Sequence, residues 1–69
     1  MMSEASSPSR DEIIRLAIDV YGATDRADQW LGTRLVALNN KTPIEMMASA
    51  SGRERVREVL VKIRHGDFS

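Results

Sequence analysis

One histidine, ten carboxylates and no cysteine are the side chains available for acid–base or metal chemistry in this 69-residue chain. His65 has only Asp67 close to it along the chain. A catalytic histidine needs a nucleophile or an orienting partner, and a metal site needs at least two further ligands at suitable spacing. We therefore interpret His65 as a polar residue in the last turn of a helix, where it suits the helix dipole. The sequence predicts no enzyme active site, no metal and no cofactor.

The C-terminal end of the chain combines basic side chains with apolar ones that a helical core does not need. Residues 52–69 contain five basic and three acidic side chains, whereas residues 1–51 contain five basic and seven acidic ones. Val61 falls on the polar side of the predicted last helix, and Phe68 follows Gly66, which should end that helix. These features predict a protein-contact surface made by Val61, Lys62, Arg64, His65, Asp67 and Phe68. A solvated charged face is the alternative interpretation, and the turn from Asn39 to Met46 is the second candidate surface.

The first predicted helix follows a polar segment. Residues 1–8 predict a disordered leader, and residues 9–69 predict one helical domain. Ser9 and Glu12 have the spacing of a capping box, and Gly22 suits a left-handed helix end. The apolar side chains between them cover more than half of the helix circumference, so we expect the helix to pack against more than one neighbour.

The middle of the chain predicts a second short helix and a connector. Thr24 is the expected N-cap of this helix, and Gly32 is its expected end. The following segment is ambiguous between one helical turn and an irregular connector, with Leu35 and Leu38 as its inward anchors. Asn39 and Asn40 indicate a turn, because asparagine tolerates a positive φ angle.

Two further helix starts are predicted after this turn. Thr42 is the expected N-cap of a short helix with Pro43 at its first position, Glu45 completing a capping box, and Ile44, Met47 and Ala48 facing inward. Ser51 is the expected start of the last helix, with Glu54 as its capping partner. The last helix carries apolar residues at the spacing of an amphipathic helix.

The predicted fold class is therefore all-α, a small compact bundle of four to five short helices. No segment alternates with the period of a strand, and no run approaches the ~20 apolar residues of a membrane span. The polar N-terminus lacks a signal region, so a cytoplasmic location is expected. The predicted core consists of Ile14, Leu16, Ile18, Trp30, Leu31, Leu38, Ile44, Val56, Leu60 and Ile63.

The order and spacing of these residues resemble a known family. The pattern "A..WLG" followed by "KTPIEMM", "GRERVREVL" and "HG" is similar to the toxin-binding domain of Xre/MbcA/ParS-type antitoxins, over about residues 13–68. The matching positions are Ala27, Trp30, Leu31, Leu38, Thr42, Pro43, Glu45, Gly52, Val56, Leu60, Ile63 and Gly66.

The resemblance implies an antitoxin that binds and blocks a RES-type toxin, an enzyme that destroys NAD. The contact residues predicted above then become candidate toxin contacts, and inhibition would be steric, with Lys62 or Arg64 standing where substrate charge would sit. Family antitoxins often self-associate, and the wide apolar arc of the first helix predicts a homodimer through Ile14, Ile18 and Tyr21.

A small DNA-binding regulator of the helix-turn-helix type is the alternative function, because Gly22 lies between two short helices. However, the second helix would read DNA with two Asp and one Arg, whereas phosphate contacts need Lys and Arg. Many family members also carry an N-terminal DNA-binding region of the helix-turn-helix type, and twelve residues before Ile13 are too few for one. DNA binding by this chain is therefore not expected.

Overall fold

The computed structural model describes residues 8–66, and within them the chain folds into four α-helices and one 3-10 turn. A single antiparallel bridge between Leu35 and Lys41 is the β-type pairing within this part of the chain. The all-α prediction is confirmed. The predicted leader, except Pro8, and the predicted contacts Asp67 and Phe68 lie outside the described residues. The elements are α1 (Arg10–Tyr21), α2 (Thr24–Leu31), the 3-10 turn (Val36–Leu38), α3 (Pro43–Met46) and α4 (Ala50–His65).

Local signals at both ends of α1 determine where it begins and ends. The Ser9 amide donates to the Glu12 carboxylate at 2.8 Å, and the Glu12 amide donates to the Ser9 hydroxyl at 3.2 Å. Gly22 ends the helix at φ 76°, and its amide donates to the Ile18 carbonyl at 2.7 Å. The capping box and the left-handed glycine cap are as predicted.

The apolar face of α1 is centred on different residues from those predicted. Ile13 and Ala17 are fully buried, whereas Ile14, Leu16 and Ile18 are only partly buried against the core. The reason is that α1 packs against both α2 and α4. The line between these two neighbours falls on the i, i+4 pair of Ile13 and Ala17, and the small alanine allows close approach. The other three side chains flank that line.

The start of α2 differs from the prediction. The N-cap residue is Ala23, which makes no side-chain capping hydrogen bond. Thr24 already lies inside the helix, one position too late for its hydroxyl to cap the free amides. Gly32 is the C-cap, as predicted.

The turn before α3 is as predicted, but the inward face of α3 is not. Asn39 and Asn40 both have positive φ angles, and the Glu45 amide donates to the Thr42 hydroxyl at 3.1 Å. Ile44, predicted as core, is 42% exposed, and Ala48 is exposed as well. Met47 is fully buried as predicted, and its buried partner four residues earlier is Pro43. The proline ring therefore serves both as the helix start and as the core contact, which turns Ile44 outward.

The last helix begins two residues earlier than predicted. Ser49, not Ser51, is the N-cap, and its hydroxyl accepts from the Gly52 amide at 3.0 Å. Gly52 is buried against the end of α3, where an added Cβ would overlap the Met46 carbonyl oxygen. This close approach requires glycine in the first turn of α4.

The core lies where the four helices and the 3-10 turn meet. Leu31, Leu38, Val56 and Leu60 are buried as predicted, whereas Trp30 and Ile63 are partly buried. Among residues 8–66, no helix combines the length and apolar character needed to cross a membrane. Within residues 8–66, the buried hydrophobic core residues are Ile13, Ala17, Ala27, Leu31, Leu38, Met47, Val56, Val59 and Leu60, and Pro43 is fully buried as well.

Candidate functional site

The last turn of α4 is an exposed, basic helix end. Lys62, Arg64 and His65 lie in this turn and are exposed, while Val61 is partly buried. Gly66 ends the helix at φ 75°. The free carbonyl groups at this end carry the negative pole of the helix dipole, which favours cations beside them. Four of the six predicted contact residues therefore lie together at one end of the bundle.

Lys62 and Arg64 nevertheless face opposite flanks of α4. Residues two apart on an α-helix are separated by about 200° around its axis. Arg64 lies on the flank that meets α1, where its guanidinium is 3.3 Å from the Asp19 carboxylate. Lys62 lies on the flank of Arg55, whose guanidinium donates to the Ala37 carbonyl at 3.4 Å. A partner that contacts both cations would have to wrap around the helix end.

The ion pair between Arg64 and Asp19 leaves Arg64 available to a partner. The two side chains are 55% and 60% exposed. An ion pair with this exposure contributes about 0–1 kcal/mol, since water screens it and both long side chains lose freedom. A carboxylate on a binding partner can therefore compete for Arg64 at little cost. The sequence alone did not indicate this pairing between helices.

Arg53 joins the beginning of the domain to the start of α4. Its Nε donates to the Pro8 carbonyl at 2.9 Å, and its Nη1 donates to the Met47 carbonyl at 3.0 Å. Two charge-assisted bonds from one guanidinium hold three segments of the chain at one point. Arg53 is therefore a structural residue, unlike the exposed cations at the other end of α4.

The three residues predicted for self-association lie along one side of α1. Ile14, Ile18 and Tyr21 follow the i, i+4, i+7 spacing of a helix face, and each is partly buried against the core. Each side chain thus retains accessible surface, although all three also contribute to the packing of the monomer. The structure does not leave this face as a free apolar surface.

Tyr21 continues this side of α1 into a shallow groove. Its ring packs on Trp30 with ring centroids 5.9 Å apart and an interplanar angle of 38°. The groove has a volume of about 480 Å³ and is lined by Tyr21, Arg26, Gln29, Trp30 and Thr33. Burial raises the pKa of Tyr21, because the charged phenolate loses hydration there. The only signal for this groove in the sequence is that the single Tyr and the single Trp each lie near the end of a helix.

The 3-10 turn exposes a further apolar residue that the sequence did not indicate. Val36, in the 3-10 turn, is 87% exposed. The prediction left this segment ambiguous between one helical turn and an irregular connector, with Leu35 and Leu38 as inward anchors. A 3-10 turn forms, and Leu38 is fully buried and Leu35 partly so. The helical spacing that reveals inward residues does not identify an outward one in so short a turn.

Within residues 8–66, no three His, Asp or Glu side chains gather closely enough to hold a metal ion. His65 is exposed at the end of α4. On α2, Asp25, Arg26 and Asp28 are all exposed, so the helix that would read DNA under the alternative function presents more negative than positive charge.

The family comparison agrees with the arrangement of these elements. Residues 16–66 match the model of the antitoxin Xre/MbcA/ParS C-terminal toxin-binding domain, which covers 51 of the 69 residues. The chain has no significant match to a curated protein or to a solved structure. The matched segment extends from the middle of α1 to Gly66, the C-cap of α4, and so includes the second half of α1 and all of α2, the 3-10 turn, α3 and α4. The chain belongs to the family of Xre/MbcA/ParS antitoxin C-terminal toxin-binding domains.

Proposed function

We propose that this domain neutralises a RES-type toxin, an enzyme that destroys NAD, by covering its active-site cleft without catalysing a reaction itself. Membership of a toxin-binding family supports a toxin as the partner. The proposed contact surface rests on one observation, that the last turn of α4 is exposed and basic. The proposal also assigns the protein to the cytoplasm, where the NAD pool is.

The charge of the helix end suggests how it would approach such a cleft. A cleft that binds the phosphates of a dinucleotide is itself basic, so cations would be repelled from its floor. We therefore assign Lys62 and Arg64 to acidic groups on the rim of the cleft, on opposite sides of the inserted helix end. Val61 and His65 lie between these flanks on the outer side. The end of the chain, with Asp67 and Phe68, would then extend toward the cleft and exclude substrate sterically.

Charge reversal of Lys62 and of Arg64, made separately, tests this proposal. Each variant would be co-expressed with the toxin encoded next to this protein's gene, and cellular NAD and growth would be measured. We expect each reversal to weaken neutralisation, since a carboxylate would then face the acidic rim. Arg15→Glu, an equal charge change at an exposed position of α1, serves as the matched control.

The outcome of that experiment can contradict the proposal in a defined way. If purified Lys62→Glu and Arg64→Glu keep the circular dichroism of the wild type and still neutralise the toxin, the end of α4 is not the contact. A variant lacking residues 66–69 separates the tail from the helix. Loss of neutralisation in that variant alone would move the contact to the tail.

We also propose that two copies of the domain associate through the side of α1 that carries Ile14, Ile18 and Tyr21. The support is the shared face of these residues and its continuation into the groove beside Trp30. Light scattering would measure the mass of the wild type and of Ile14→Lys, which replaces a partly buried side chain at the edge of the core. We expect a dimer for the wild type and a helical monomer for the variant. A monomeric wild type at high concentration would contradict the proposal.

A further inference from the structure

The loop beside α4 presents an exposed apolar side chain, Val36, on a part of the chain that also carries exposed cations. We define the loop patch as Arg34, Val36, Lys41 and Arg55. Val36 is 87% exposed, and in the described part of the chain it is the more exposed of the two large hydrophobic side chains at the surface; the other is Ile44. The three cations of the patch are exposed as well. They belong together because Lys41 pairs with Leu35, between Arg34 and Val36, and because Arg55 reaches the Ala37 carbonyl.

Backbone hydrogen bonds hold this loop in one shape. The Leu35 amide donates to the Lys41 carbonyl at 3.1 Å, and the Asn40 amide donates back to the Leu35 carbonyl at 2.8 Å. The Leu38 side chain is fully buried and anchors the loop in the core. Val36 is therefore presented by a closed, anchored turn. A surface that is already ordered loses little freedom on binding, which favours affinity.

The loop adopts an uncommon backbone to keep this shape. Asn39 and Asn40 have φ angles of 59° and 64°, in the left-handed region that residues other than glycine rarely adopt. Asparagine tolerates this region best among such residues. Two consecutive residues in this region reverse the chain within a few residues. This reversal places Lys41 opposite Leu35 and exposes Val36 beside it.

No acidic side chain of residues 8–66 forms an ion pair with the cations of the loop patch. Within residues 8–66, Arg64 and Asp19 form an ion pair. Arg34, Lys41 and Arg55 have no acidic side-chain oxygen of these residues within 4.0 Å. Residues 34–66 carry seven basic and three acidic side chains, whereas residues 8–33 carry three and five. The positive charge of the domain is thus concentrated on the elements that follow α2, and its complement is an acidic surface.

We propose that the loop patch is a second contact with the toxin, in which Val36 enters a small apolar pocket bordered by acidic groups of the toxin surface. This inference rests on the proposed function, since it takes the toxin as the partner. An apolar centre with a charged rim is the anatomy of a protein interface. Nucleic acid would use the cations but offers no pocket that an isolated valine would fill.

The loop patch is continuous with the flank of α4 assigned to the toxin. Arg55 and Lys62 are seven residues apart, which places them on the same side of the helix about 10 Å from each other. Arg55 in turn contacts the loop through Ala37. One partner surface can therefore run along this flank from the loop to the end of α4. Arg64, on the opposite flank, would mark the other edge of the same footprint.

Two variants of the loop patch test this inference directly. Val36→Asp places a carboxylate where the acidic pocket would lie, and Lys41→Glu reverses the charge of an exposed side chain of the patch. Binding to the purified toxin encoded by the adjacent gene would be measured by calorimetry at low and at high salt. We expect each variant to weaken binding by about tenfold or more. The loss in Lys41→Glu should shrink at high salt, whereas the loss in Val36→Asp should persist in part, because salt screens only the charge. Arg15→Glu is again the matched control, with binding within about twofold of the wild type.

The comparison with the α4 variants separates the two proposals. If Val36→Asp and Lys41→Glu bind like the wild type while Lys62→Glu and Arg64→Glu do not, the loop patch is not a contact and the proposed function stands. If the wild-type domain does not bind the toxin at all, both proposals fail. If the wild type shifts a duplex DNA of the adjacent promoter region and Lys41→Glu abolishes the shift, the patch is a nucleic-acid surface, and the inference is overturned. Circular dichroism of each variant confirms that its helices are intact.

Discussion

Replacing Gly52 by alanine is expected to destabilise the fold, although alanine is the better helix former. Gly52 lies in the first turn of α4 and is buried. In an unobstructed helix, alanine would gain about 0.5–1 kcal/mol over glycine, because glycine loses more backbone freedom on folding. At Gly52 an added Cβ would overlap the Met46 carbonyl oxygen, would lie 2.7 Å from the Met46 carbonyl carbon and would lie 2.9 Å from the Ser49 hydroxyl.

The size of the loss follows from what has to move. Carbon atoms pack at about 3.5–4.0 Å, so α3 and α4 must separate by roughly 1 Å or more at this point. The obstacle is backbone, which cannot rotate away as a side chain can. Overpacking of this kind costs about 1–3 kcal/mol, and we expect the upper part of that range. A domain of 69 residues has a total stability of about 3–10 kcal/mol, so the variant should lose a large fraction of it.

Urea denaturation followed by circular dichroism at 25 °C measures this loss. A destabilisation of about 2–3 kcal/mol should lower the urea midpoint by roughly 2–3 M, since a domain this small has a slope near 1 kcal/mol per M. Gly32→Ala is the matched control: its added Cβ would meet only carbonyl oxygens at 3.8 and 3.9 Å, and its φ of −98° suits any residue. The control should change stability by less than about 1 kcal/mol. A Gly52→Ala variant as stable as the wild type would refute the close approach between α3 and α4.

Three other expectations concern stability and titration. Leu60→Ala should lower the free energy of unfolding by about 2–5 kcal/mol, because Leu60 is fully buried; a loss below about 0.5 kcal/mol would show that α4 packs differently. Arg53→Met should lower it by about 1–2 kcal/mol through the two lost bonds to backbone carbonyls, while Arg57→Met, at an exposed position of α4, should change it little. Tyr21, the only tyrosine, should titrate by absorbance at 295 nm above its ordinary pKa of about 10. Since the unfolded chain releases that proton first, stability should fall as the pH rises from 10 through the pKa of the folded state; a midpoint at or below 10 would contradict the burial of this ring.

The limits of the helices were largely readable from the sequence, because the signals are local. The capping box at Ser9, the proline start after Thr42 and the glycine ends at Gly22 and Gly66 all involve groups no more than four residues apart. The same holds for the positive φ angles of the asparagine turn. The apolar stripe of α4 was also readable, since Val56, Val59 and Leu60 follow the helical period and are all buried. The same helical period also predicts that Lys62 and Arg64 lie on opposite flanks of α4.

The burial of individual side chains depended on how the helices pack. On α1, nearly every apolar position was available, and only the placement between α2 and α4 selected Ile13 and Ala17. The N-cap of α4 had two serine candidates, and the structure places Ser49 there, with its hydroxyl accepting from the Gly52 amide.

The candidate surfaces divide in the same way. Composition and helical period indicated the basic end of α4 before any coordinates. The tertiary structure alone brought Arg64 to Asp19, packed the Tyr21 ring on Trp30, and joined Arg55 to the loop that exposes Val36. The physical reason is the range of the interactions. Caps and turns are determined by neighbours along the chain, whereas burial, ion pairs between helices and the grouping of surface residues depend on distances that exist only after the helices have packed.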